Sequence, residues 1–328
     1  MHYYIGIDGG ATKTAFCAAS IESPELRYIE TSGSSWREKG ITEVAQMLRK
    51  TVADFMGKDK KNIDGIAIGL PCYGESIEGD RHLKQAINDA FPSVPVYLTN
   101  DVEVAWAGSM ALTPGINVIS GTGAIAFGKD IHGKTARSGG WCEFFSDEGS
   151  CYWVGRKVME LYSKQSDGRM PRDELYTIVN REFNLENDFS FIDLMYSEYI
   201  HNRKQVASLQ LLAKKAAIAG SPSAKALYGE AVKELLLLVT AIRNQLDFNG
   251  KPWAVSYSGG LFKAGELVLP QFFREIENAG GKVSQPRFTP VEGAVLLGFD
   301  HFNPGALNQI IKIITDARIN TAMQCGTA

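Results

Sequence analysis

The residues best suited to chemistry lie almost at the N-terminus, in a turn that could hold phosphate. Asp8 follows an apolar run from Tyr3 to Ile7, and the turn after it reads Gly9-Gly10-Ala11-Thr12-Lys13-Thr14. Glycine can take positive φ and lets backbone N–H groups approach an anion, while the hydroxyls and the ammonium group add further donors. A carboxylate at the end of the strand can hold a hydrated Mg²⁺ ion. The sequence therefore predicts a phosphate-binding turn with a magnesium site beside it.

The same turn is also compatible with an ordinary hairpin. A second apolar segment, from Ala15 to Ala19, follows it, and a glycine-rich turn between two strands needs no ligand. It matches neither Gly-x-x-x-x-Gly-Lys-Ser/Thr nor a Gly-x-Gly-x-x-Gly that leads into a helix. A similar segment from Ile116 to Gly128, with the turn Gly121-Thr122-Gly123, favours the ligand. Two such segments predict a weak internal duplication, with one turn in each of two domains that face each other across a cleft.

Asp101 is suited to act as a general base. It follows an apolar run from Val94 to Leu98 and begins an alanine-rich segment that predicts a helix over 102–110. Either Asn100 or Asp101 can cap that helix, but a second acidic residue at the end of a strand is more than a cap requires. Ligands in α/β sheets gather at the carboxyl ends of the strands, where Asp8 is also expected. We therefore predict that Asp101 accepts a hydroxyl proton during phosphoryl transfer.

A third group of residues is suited to binding a sugar. Gly139-Gly140-Trp141 is followed a few residues later by Asp147-Glu148-Gly149-Ser150. Sugars are bound by planar carboxylate or amide groups that take paired hydroxyls, beside an aromatic surface for the C–H face. Tryptophan is more often a core residue, but the acidic pair after Trp141 favours a binding site with Asp147 as the hydroxyl ligand.

The composition excludes several classes of function. The chain has 328 residues, 45% of them hydrophobic and 22% charged, which is enough for two domains. A net charge of −3 gives no electrostatic reason for a nucleic-acid partner or an anionic membrane. No signal peptide or membrane-spanning run is apparent, so a cytoplasmic protein is expected. Free thiols in a reducing compartment are predicted for the five scattered cysteines Cys17, Cys72, Cys142, Cys151 and Cys325.

Strands that alternate with helices predict an α/β protein. The first domain is predicted over 1–113, with strands over 3–7, 15–19, 25–31, 63–70 and 94–98 and a helix over 41–55. Thr113-Pro114-Gly115 marks the crossover to the second domain, over 114–303. There we predict strands over 134–138 and 253–257, and between them a helical insert over 152–248 without chemistry of its own. A final helix from Pro304 to about Ala317 is expected to pack back on the first domain, which then includes 304–328.

Three motifs in order resemble those of the sugar kinase, actin and Hsp70 superfamily. They are Gly6 to Thr14, Ser120-Gly121-Thr122-Gly123 and Ser258-Gly259-Gly260-Leu261, which look like its first phosphate, second phosphate and adenosine motifs. Gly139 to Trp141 and Asp147 to Ser150 are similar to N-acetylglucosamine kinases of the BadF/BadG group, and Pro290 to Ala294 resembles the family's closing motif. The resemblance implies two actin-like (ribonuclease H-like) α/β domains with a cleft between them, the second enlarged by helices.

The resemblance also implies the ligands. ATP and Mg²⁺ are expected, with Asp8 holding the ion through its water shell and Asp101 as the catalytic base. The ATP-binding residues would be Gly9, Gly10, Thr12, Lys13, Thr14, Gly121, Thr122, Gly123, Gly259, Gly260 and Leu261. The sugar-binding residues would be Ser34, Trp36, Asn100, Thr122, Gly140, Trp141 and Asp147. The implied activity is phosphorylation of an N-acetylated amino sugar at the 6-hydroxyl, by a protein that forms a homodimer.

Departures from the family pattern leave the sugar open. Ser34 stands where members that phosphorylate N-acetylglucosamine often have asparagine, and Cys142 and Ser146 replace glycines. The smaller side chain leaves room for the lactyl group of N-acetylmuramic acid, whose carboxylate Arg37 or Lys39 could meet.

Two rival functions are a BadF/BadG-type activator ATPase and a sugar sensor without catalysis. The first needs cysteine ligands for an iron–sulfur cluster, which the scattered cysteines do not suggest. A sensor of the repressor type should carry an N-terminal helix-turn-helix, whereas this chain starts directly with the phosphate strand.

Overall fold

The structure, a computed structural model, describes residues 1–250 and 252–325, with only the backbone described over 321–325. The chain forms two compact units. Unit 1 consists of Met1–Thr113 and Pro286–Ala328, and unit 2 of Pro114–Gln285. Within the described part of the chain, no helix is long and apolar enough to cross a membrane.

Unit 1 is built on a five-stranded mixed sheet with the order β3-β2-β1-β4-β5. Its strands are β1 (Tyr3–Gly9), β2 (Lys13–Ala19), β3 (Arg27–Ser32), β4 (Ile63–Leu70) and β5 (Val96–Asn100). The first three form an antiparallel meander, whereas β4 runs parallel to β1 and β5 parallel to β4. The segments 3–7 of β1 and 65–70 of β4 are continuous apolar runs because both of their faces are buried. The carboxyl ends of β1, β4 and β5 therefore lie at one edge of the sheet.

Four helices follow these strands in the first segment of unit 1. They are α1 (Trp36–Lys39), α2 (Ile41–Met56), α3 (Ile77–Ala90) and α4 (Asp101–Met110), with a 3₁₀ helix over Gly57–Asn62. The helix α2 buries Val44, Leu48 and Val52 on one face, as its periodicity predicts. The side of the sheet that carries Ile5 and Ile7 shares a core with α2 and α3. The helix α3 was not predicted, since only Leu83 and Ile87 of it are buried.

Unit 2 repeats this sheet. Its strands are β6 (Gly115–Ser120), β7 (Ala124–Lys129), β8 (Thr135–Gly139), β9 (Trp253–Ser258) and β10 (Gly281–Ser284). The order is β8-β7-β6-β9-β10, with β6, β7 and β8 antiparallel and β9 and β10 added in parallel. Strand order and direction are thus the same in both units, as the predicted internal duplication requires. The short β10 was not predicted.

The helical insert of unit 2 supplies most of its core. Its helices are α5 (Cys151–Ser166), α6 (Glu174–Phe183), α7 (Ser190–Leu194), α8 (Arg203–Ser208), α9 (Gln210–Ala219) and α10 (Pro222–Arg243), with a π-helical turn over Met195–Tyr199. After β9 come a 3₁₀ helix over Leu261–Leu267 and α11 (Leu269–Asn278). One hydrophobic cluster joins these helices to β6, β7 and β9, with Tyr162, Tyr228 and Phe272 fully buried.

The chain returns to unit 1 through α12 (Pro290–Phe302), a 3₁₀ helix over Pro304–Ala306 and α13 (Leu307–Cys325). Glycines let α12 lie directly on its neighbours. A Cβ on Gly293 would overlap the carbonyl oxygen of Val104 in α4, and one on Gly6 in β1 would lie 2.5 Å from the amide nitrogen of Val295. Because α12 packs on β1 and α4, unit 1 resumes at Pro286, earlier than the predicted residue 304.

Candidate functional site

The turn between β1 and β2 is closed by its own backbone. The N–H of Gly10 donates to the carbonyl of Lys13 at 2.9 Å, and the N–H of Ser34 donates to the carbonyl of Gly10 at 2.9 Å. Neither Gly9 nor Gly10 has the positive φ that the sequence suggested. Glycine is required at position 9 for a different reason, because a Cβ there would overlap the Ser34 hydroxyl and lie 2.8 Å from the carbonyl oxygen of Gly69.

The side chains of this turn differ in what they can offer to a phosphate. Thr14 is fully buried, and its hydroxyl donates to the carbonyl of Ser32 at 3.0 Å. Thr12 and Lys13 are exposed, with the ammonium group of Lys13 2.6 Å from the Glu30 carboxylate. The side-chain donors available to an anion are therefore Thr12 and Lys13, and the predicted ligand Thr14 instead ties the turn to β3.

Asp8 lies partly buried at the end of β1, where it lines a cavity of about 1140 Å³ in unit 1. Lys13, Tyr28, Glu292 and Arg318 line the same cavity. Burial raises the pKa of the Asp8 carboxyl to about 6, although the nearby Lys13 ammonium lowers it. Ionisation of the Asp8 carboxyl in the folded protein therefore costs free energy, and a bound cation would offset that cost.

The donor set suits a magnesium ion that is carried in with phosphates. Mg²⁺ in such sites keeps several waters and takes one or two protein carboxylates together with phosphate oxygens. Asp8 supplies one carboxylate beside the phosphate turn. Among the residues that the structure describes, no three His, Cys, Asp or Glu side chains are grouped so as to hold a metal by themselves.

Replacing Asp8 with Asn should make the nucleotide-free protein more stable at neutral pH. Since the folded-state pKa is raised from 3.8 to about 6, the stability contributed by Asp8 is present below pH 4 and lost as the pH rises through 6. We expect the Asp8→Asn variant to have the same free energy of unfolding as the unsubstituted protein near pH 4, and about 2 kcal/mol more at pH 8. Urea unfolding at both pH values, with exposed Asp54→Asn as control, measures this. The prediction would be contradicted if the free energies of unfolding of the variant and the unsubstituted protein differed by the same amount at both pH values.

Asp101 is fixed at the edge of the same sheet by its neighbours. Asn100 caps α4, because its side-chain oxygen accepts the N–H of Val102 at 3.0 Å. The amide nitrogen of Asn100 donates to the carbonyl of Tyr73 at 2.5 Å. A Cβ on Gly69 would lie 3.2 Å from the Cα of Asp101, so β4 and the start of α4 are in close contact. Since both ends of the Asn100 amide are engaged, its role in the structure is to position Asp101.

The strands that carry Asp8 and Asp101 have a single strand between them. Asp8 pairs with Gly69 of β4, and Gly69 pairs with Thr99 of β5. Two strand spacings separate β1 from β5, roughly 10 Å in all. The backbones of Asp8, at the end of β1, and of Asp101, directly after β5, are therefore separated by about the width of one intervening strand.

The predicted sugar ligands Ser34 and Trp36 are buried. The indole N–H of Trp36 donates to the carbonyl of Pro71 at 2.9 Å, and its ring packs on Gly79. The hydroxyl of Ser34 is fully buried and has no hydrogen-bond partner among the residues that the structure describes. An unpaired buried hydroxyl is costly, so a ligand group or a water there would be stabilised. The structure thus makes Trp36 a core residue and leaves Ser34 with an unused hydrogen-bonding group.

The turn between β6 and β7 is held by α5. The N–H of Gly121 donates to the carbonyl of Gly123 at 2.9 Å, and the N–H of Cys151 donates to the carbonyl of Gly121 at 2.9 Å. The hydroxyl of Ser150 caps the helix by accepting the N–H of Trp153 at 3.0 Å. The first N–H groups of α5 therefore donate hydrogen bonds within the protein. The exposed Thr122 is the side chain of this turn that can donate to an anion.

The third motif packs against the second turn. Gly259 has φ 106°, and a Cβ there would lie 2.8 Å from the amide nitrogen of Gly121, so only glycine fits without strain. A Cβ on Gly260 would lie 3.3 Å from the Cys151 sulfur, whose thiol has its pKa raised to about 11 by burial. The predicted ligand Leu261 has its side chain in the core of unit 2 and has no exposed surface there.

The loop after β8 places the remaining sugar candidates. Trp141 is 78% exposed, as a stacking surface must be, and Gly140 has φ 67° with its carbonyl bound by Arg137 at 2.6 Å. Asp147 is only 3% exposed. One of its oxygens accepts the N–H of Ala124 at 3.1 Å, and the other accepts a hydrogen bond from Arg203. Arg203 was missed because nothing in the sequence distinguishes it from the other charged residues of the helical insert.

Comparisons with known proteins agree with this architecture. The chain matches the BadF/BadG/BcrA/BcrD ATPase family over residues 5–298. It is 28% identical over 303 residues to an N-acetylmuramic acid/N-acetylglucosamine kinase of Clostridium acetobutylicum, covering 90% of this chain and 98% of that one. An N-acetyl-D-glucosamine kinase of Dictyostelium discoideum is 25% identical over 316 residues, with 90% and 98% covered.

Solved structures confirm the fold class. A Chromobacterium violaceum protein, provisionally assigned as an N-acetylglucosamine kinase, superimposes with a TM-score of 0.72 at 24% identity, covering 90% of this chain and 99% of that one. A ROK-family glucokinase of Streptomyces griseus, in complex with glucose and AMPPNP, gives a TM-score of 0.52 at 17% identity, with 91% and 99% covered. Each unit, with its mixed five-stranded sheet and helices, is therefore an actin-like domain of the sugar kinase fold.

Proposed function

The chain belongs to the BadF/BadG/BcrA/BcrD ATPase family, and from this membership we propose that it is an ATP-dependent kinase of an N-acetylated amino sugar. The acceptor would be N-acetylglucosamine, N-acetylmuramic acid or both, as the names of the two relatives suggest. The position phosphorylated would be the 6-hydroxyl, as the resemblance to the family implies. One observation carries the proposal. Asp8 with its glycine-rich turn and Asp101 lie at the same edge of the unit 1 sheet, on strands separated by β4.

The donor side of the reaction would use the two turns. Thr12 and Lys13 of the first turn and Thr122 of the second supply exposed donors to the phosphates of ATP. Asp8 would hold Mg²⁺, which supplies charge neutralisation of the phosphates when bound. Positioning and charge stabilisation account for most of the catalysis in phosphoryl transfer.

The acceptor side would use Trp141, Asp147 and Asp101. The exposed indole of Trp141 offers a face for the sugar ring, and the Asp147 carboxylate accepts hydrogen bonds from ring hydroxyls. Asp101 accepts the proton of the 6-hydroxyl while that oxygen bonds to the γ-phosphorus and the bond to the β–γ bridging oxygen breaks. The products are the sugar 6-phosphate and ADP, with the proton left on Asp101 and then released to water.

A coupled ADP-release assay tests the proposal. The panel is N-acetylglucosamine, N-acetylmuramic acid, N-acetylmannosamine, glucosamine and glucose, each with Mg-ATP. We expect turnover on one or both of the first two sugars and little on glucose. ATP hydrolysis that no sugar accelerates would contradict the proposal and favour an activator ATPase, which iron analysis of the purified protein would then test.

Replacing Trp141 with Ala should weaken sugar binding without unfolding the protein. Loss of a stacking face costs about 1 kcal/mol, so we expect the KM for the sugar to rise about five-fold. The thermal midpoint should not change, because the side chain is 78% exposed. Phe144→Ala, which removes another exposed aromatic ring of the same loop, is the matched control and should leave the KM unchanged. Equal effects of the two substitutions would contradict a specific role for Trp141.

A further inference from the structure

We infer that Arg203 is a positioning residue of the sugar site, which holds the Asp147 carboxylate in place. The inference rests on the proposed function, because it gives Asp147 the role of sugar ligand. A terminal nitrogen of the Arg203 guanidinium donates to one carboxylate oxygen of Asp147, and its Nε lies 3.7 Å from Glu143. None of the sequence motifs includes Arg203, because it lies within the helical insert.

The burial of Asp147 explains why a cation is needed. The Asp147 side chain is 3% exposed, whereas that of Arg203 is 41% exposed. A carboxylate taken out of water is costly unless it is paired and hydrogen-bonded. Asp147 also has φ 66°, a conformation that residues other than glycine seldom adopt. The ion pair therefore stabilises both the charge and the strained loop conformation of this residue.

The same ion pair lies against the second turn. The other oxygen of Asp147 accepts the N–H of Ala124 at 3.1 Å, directly after the turn. A Cβ on Gly123 would lie 2.8 Å from the Arg203 nitrogen and 2.8 Å from the Asp147 oxygen. The Arg203–Asp147 pair therefore fills the space beside Gly123 that a side chain would need, so glycine is required at that position.

Arg203 can hold Asp147 without excluding a sugar from it. An ionised carboxylate has two oxygens with about four lone-pair sites. The Ala124 N–H and Arg203 use one site on each oxygen. Under the proposed function, a pair of neighbouring sugar hydroxyls would take the two other sites. A charged donor also fixes the carboxylate plane more firmly than a neutral one.

The helical insert sets the position of Arg203. Arg203 is the first residue of α8, whose cap Asn202 accepts the N–H groups of Lys204 and Gln205 at 3.2 Å each. A Cβ on Gly155 of α5 would overlap the carbonyl oxygen of Val206, so α5 and α8 are in backbone contact. This contact fixes the start of α8 relative to the helix that supports the second turn. The helical insert therefore contributes a residue to the proposed sugar site in addition to forming most of the core of unit 2.

A double-mutant cycle of Arg203→Gln and Asp147→Asn tests the inference in the coupled ADP-release assay. We expect Arg203→Gln to raise the KM for the sugar by about ten- to one-hundred-fold, as for loss of a charged hydrogen bond, with less than a three-fold change in the KM for Mg-ATP. If Arg203 acts through Asp147, the double variant should be no worse than Asp147→Asn alone. Arg203→Lys should recover part of the loss, and Arg169→Gln, a surface arginine of the same insert, should have no effect.

The outcomes separate the inference from the proposed function. If the unsubstituted protein phosphorylates no sugar, the proposed function and the inference both fail. If it phosphorylates a sugar, additive losses in the double variant, or an unchanged sugar KM in Arg203→Gln, overturn the inference alone. If Arg203→Gln does not fold, Arg203→Lys decides, since an equal rise of both KM values in that folded variant would indicate a structural role only.

Discussion

Replacing Asp101 with Asn lowers kcat for sugar phosphorylation by a factor of about 10² to 10⁴, the contribution of a general base in other enzymes. Asparagine has nearly the same shape and can still begin α4, because the cap of that helix is Asn100. The fold and the KM for Mg-ATP should therefore change little. Initial rates in the ADP-release assay give kcat and the KM for Mg-ATP. Thermal unfolding of the same samples shows whether the fold is kept.

The matched control for this substitution is Asp89→Asn. Asp89 is an exposed aspartate of α3 in the same unit, and its carboxylate accepts a hydrogen bond from Gln85 one helical turn away, at 2.8 Å. The Asp89→Asn variant should keep full activity, which shows that an Asp→Asn change in this unit is not harmful by itself. Activity of Asp101→Asn within a factor of about three of the unsubstituted protein would remove Asp101 from the mechanism, since general bases contribute far more.

Replacing Gly293 with Ala should destabilise unit 1 by about 3 kcal/mol. The added methyl group would overlap the amide nitrogen of Gly108 and the carbonyl oxygen of Val104, which are backbone atoms of α4 that cannot rotate away. The two helices would have to separate, and α12 would lose its contact with β1. Urea unfolding followed by circular dichroism measures the change in the free energy of unfolding.

Gly298 in the same helix provides the control. A Cβ there would lie 3.5 Å from the side chain of Ala67, which is an ordinary van der Waals contact. Alanine is a better helix former than glycine by up to about 1 kcal/mol, so Gly298→Ala should stabilise the protein slightly. The same chemical change at two positions of α12 should therefore have opposite signs. A Gly293→Ala variant that is as stable as the unsubstituted protein, or more stable, would mean that the α12 and α4 backbones are not in contact at Gly293.

Periodicity predicted the elements whose burial pattern is simple. The fold class is confirmed, and the strand over 63–70 has the predicted bounds, because both of its faces are buried from residue 65 to residue 70 and that part of the run is apolar. Elements that bury few residues escaped prediction, among them α3 and the edge strand β10. Residues 286–303 were placed in the second domain, whereas they belong to unit 1, because the apolar surface of α12 does not indicate which sheet it covers.

Candidate site residues could be predicted where the residue type and its place in a motif by themselves suggest a role. Asp8, Asp101 and Trp141 belong to this class, and their proposed roles remain predictions. The partners of side chains were not predictable, because they depend on tertiary contacts. Thr14 donates to Ser32 across β2 and β3, and Asp147 pairs with Arg203, 56 positions further along the chain. A hydroxyl or a carboxylate in a motif therefore does not reveal whether it faces a ligand or the protein.

The division of unit 1 into two chain segments has a consequence for synthesis on the ribosome. Strands β1 to β5 emerge first, but the face that carries Tyr4 and Cys17 is covered by α12 and α13, which come last. At roughly 5–20 residues per second, the intervening chain delays that cover by roughly 10–40 s. Unit 2 is continuous and can complete its core in the meantime. The first segment of unit 1 therefore cannot complete its core until α12 and α13 have been made, and its uncovered apolar face is the surface that a chaperone would protect on the nascent chain.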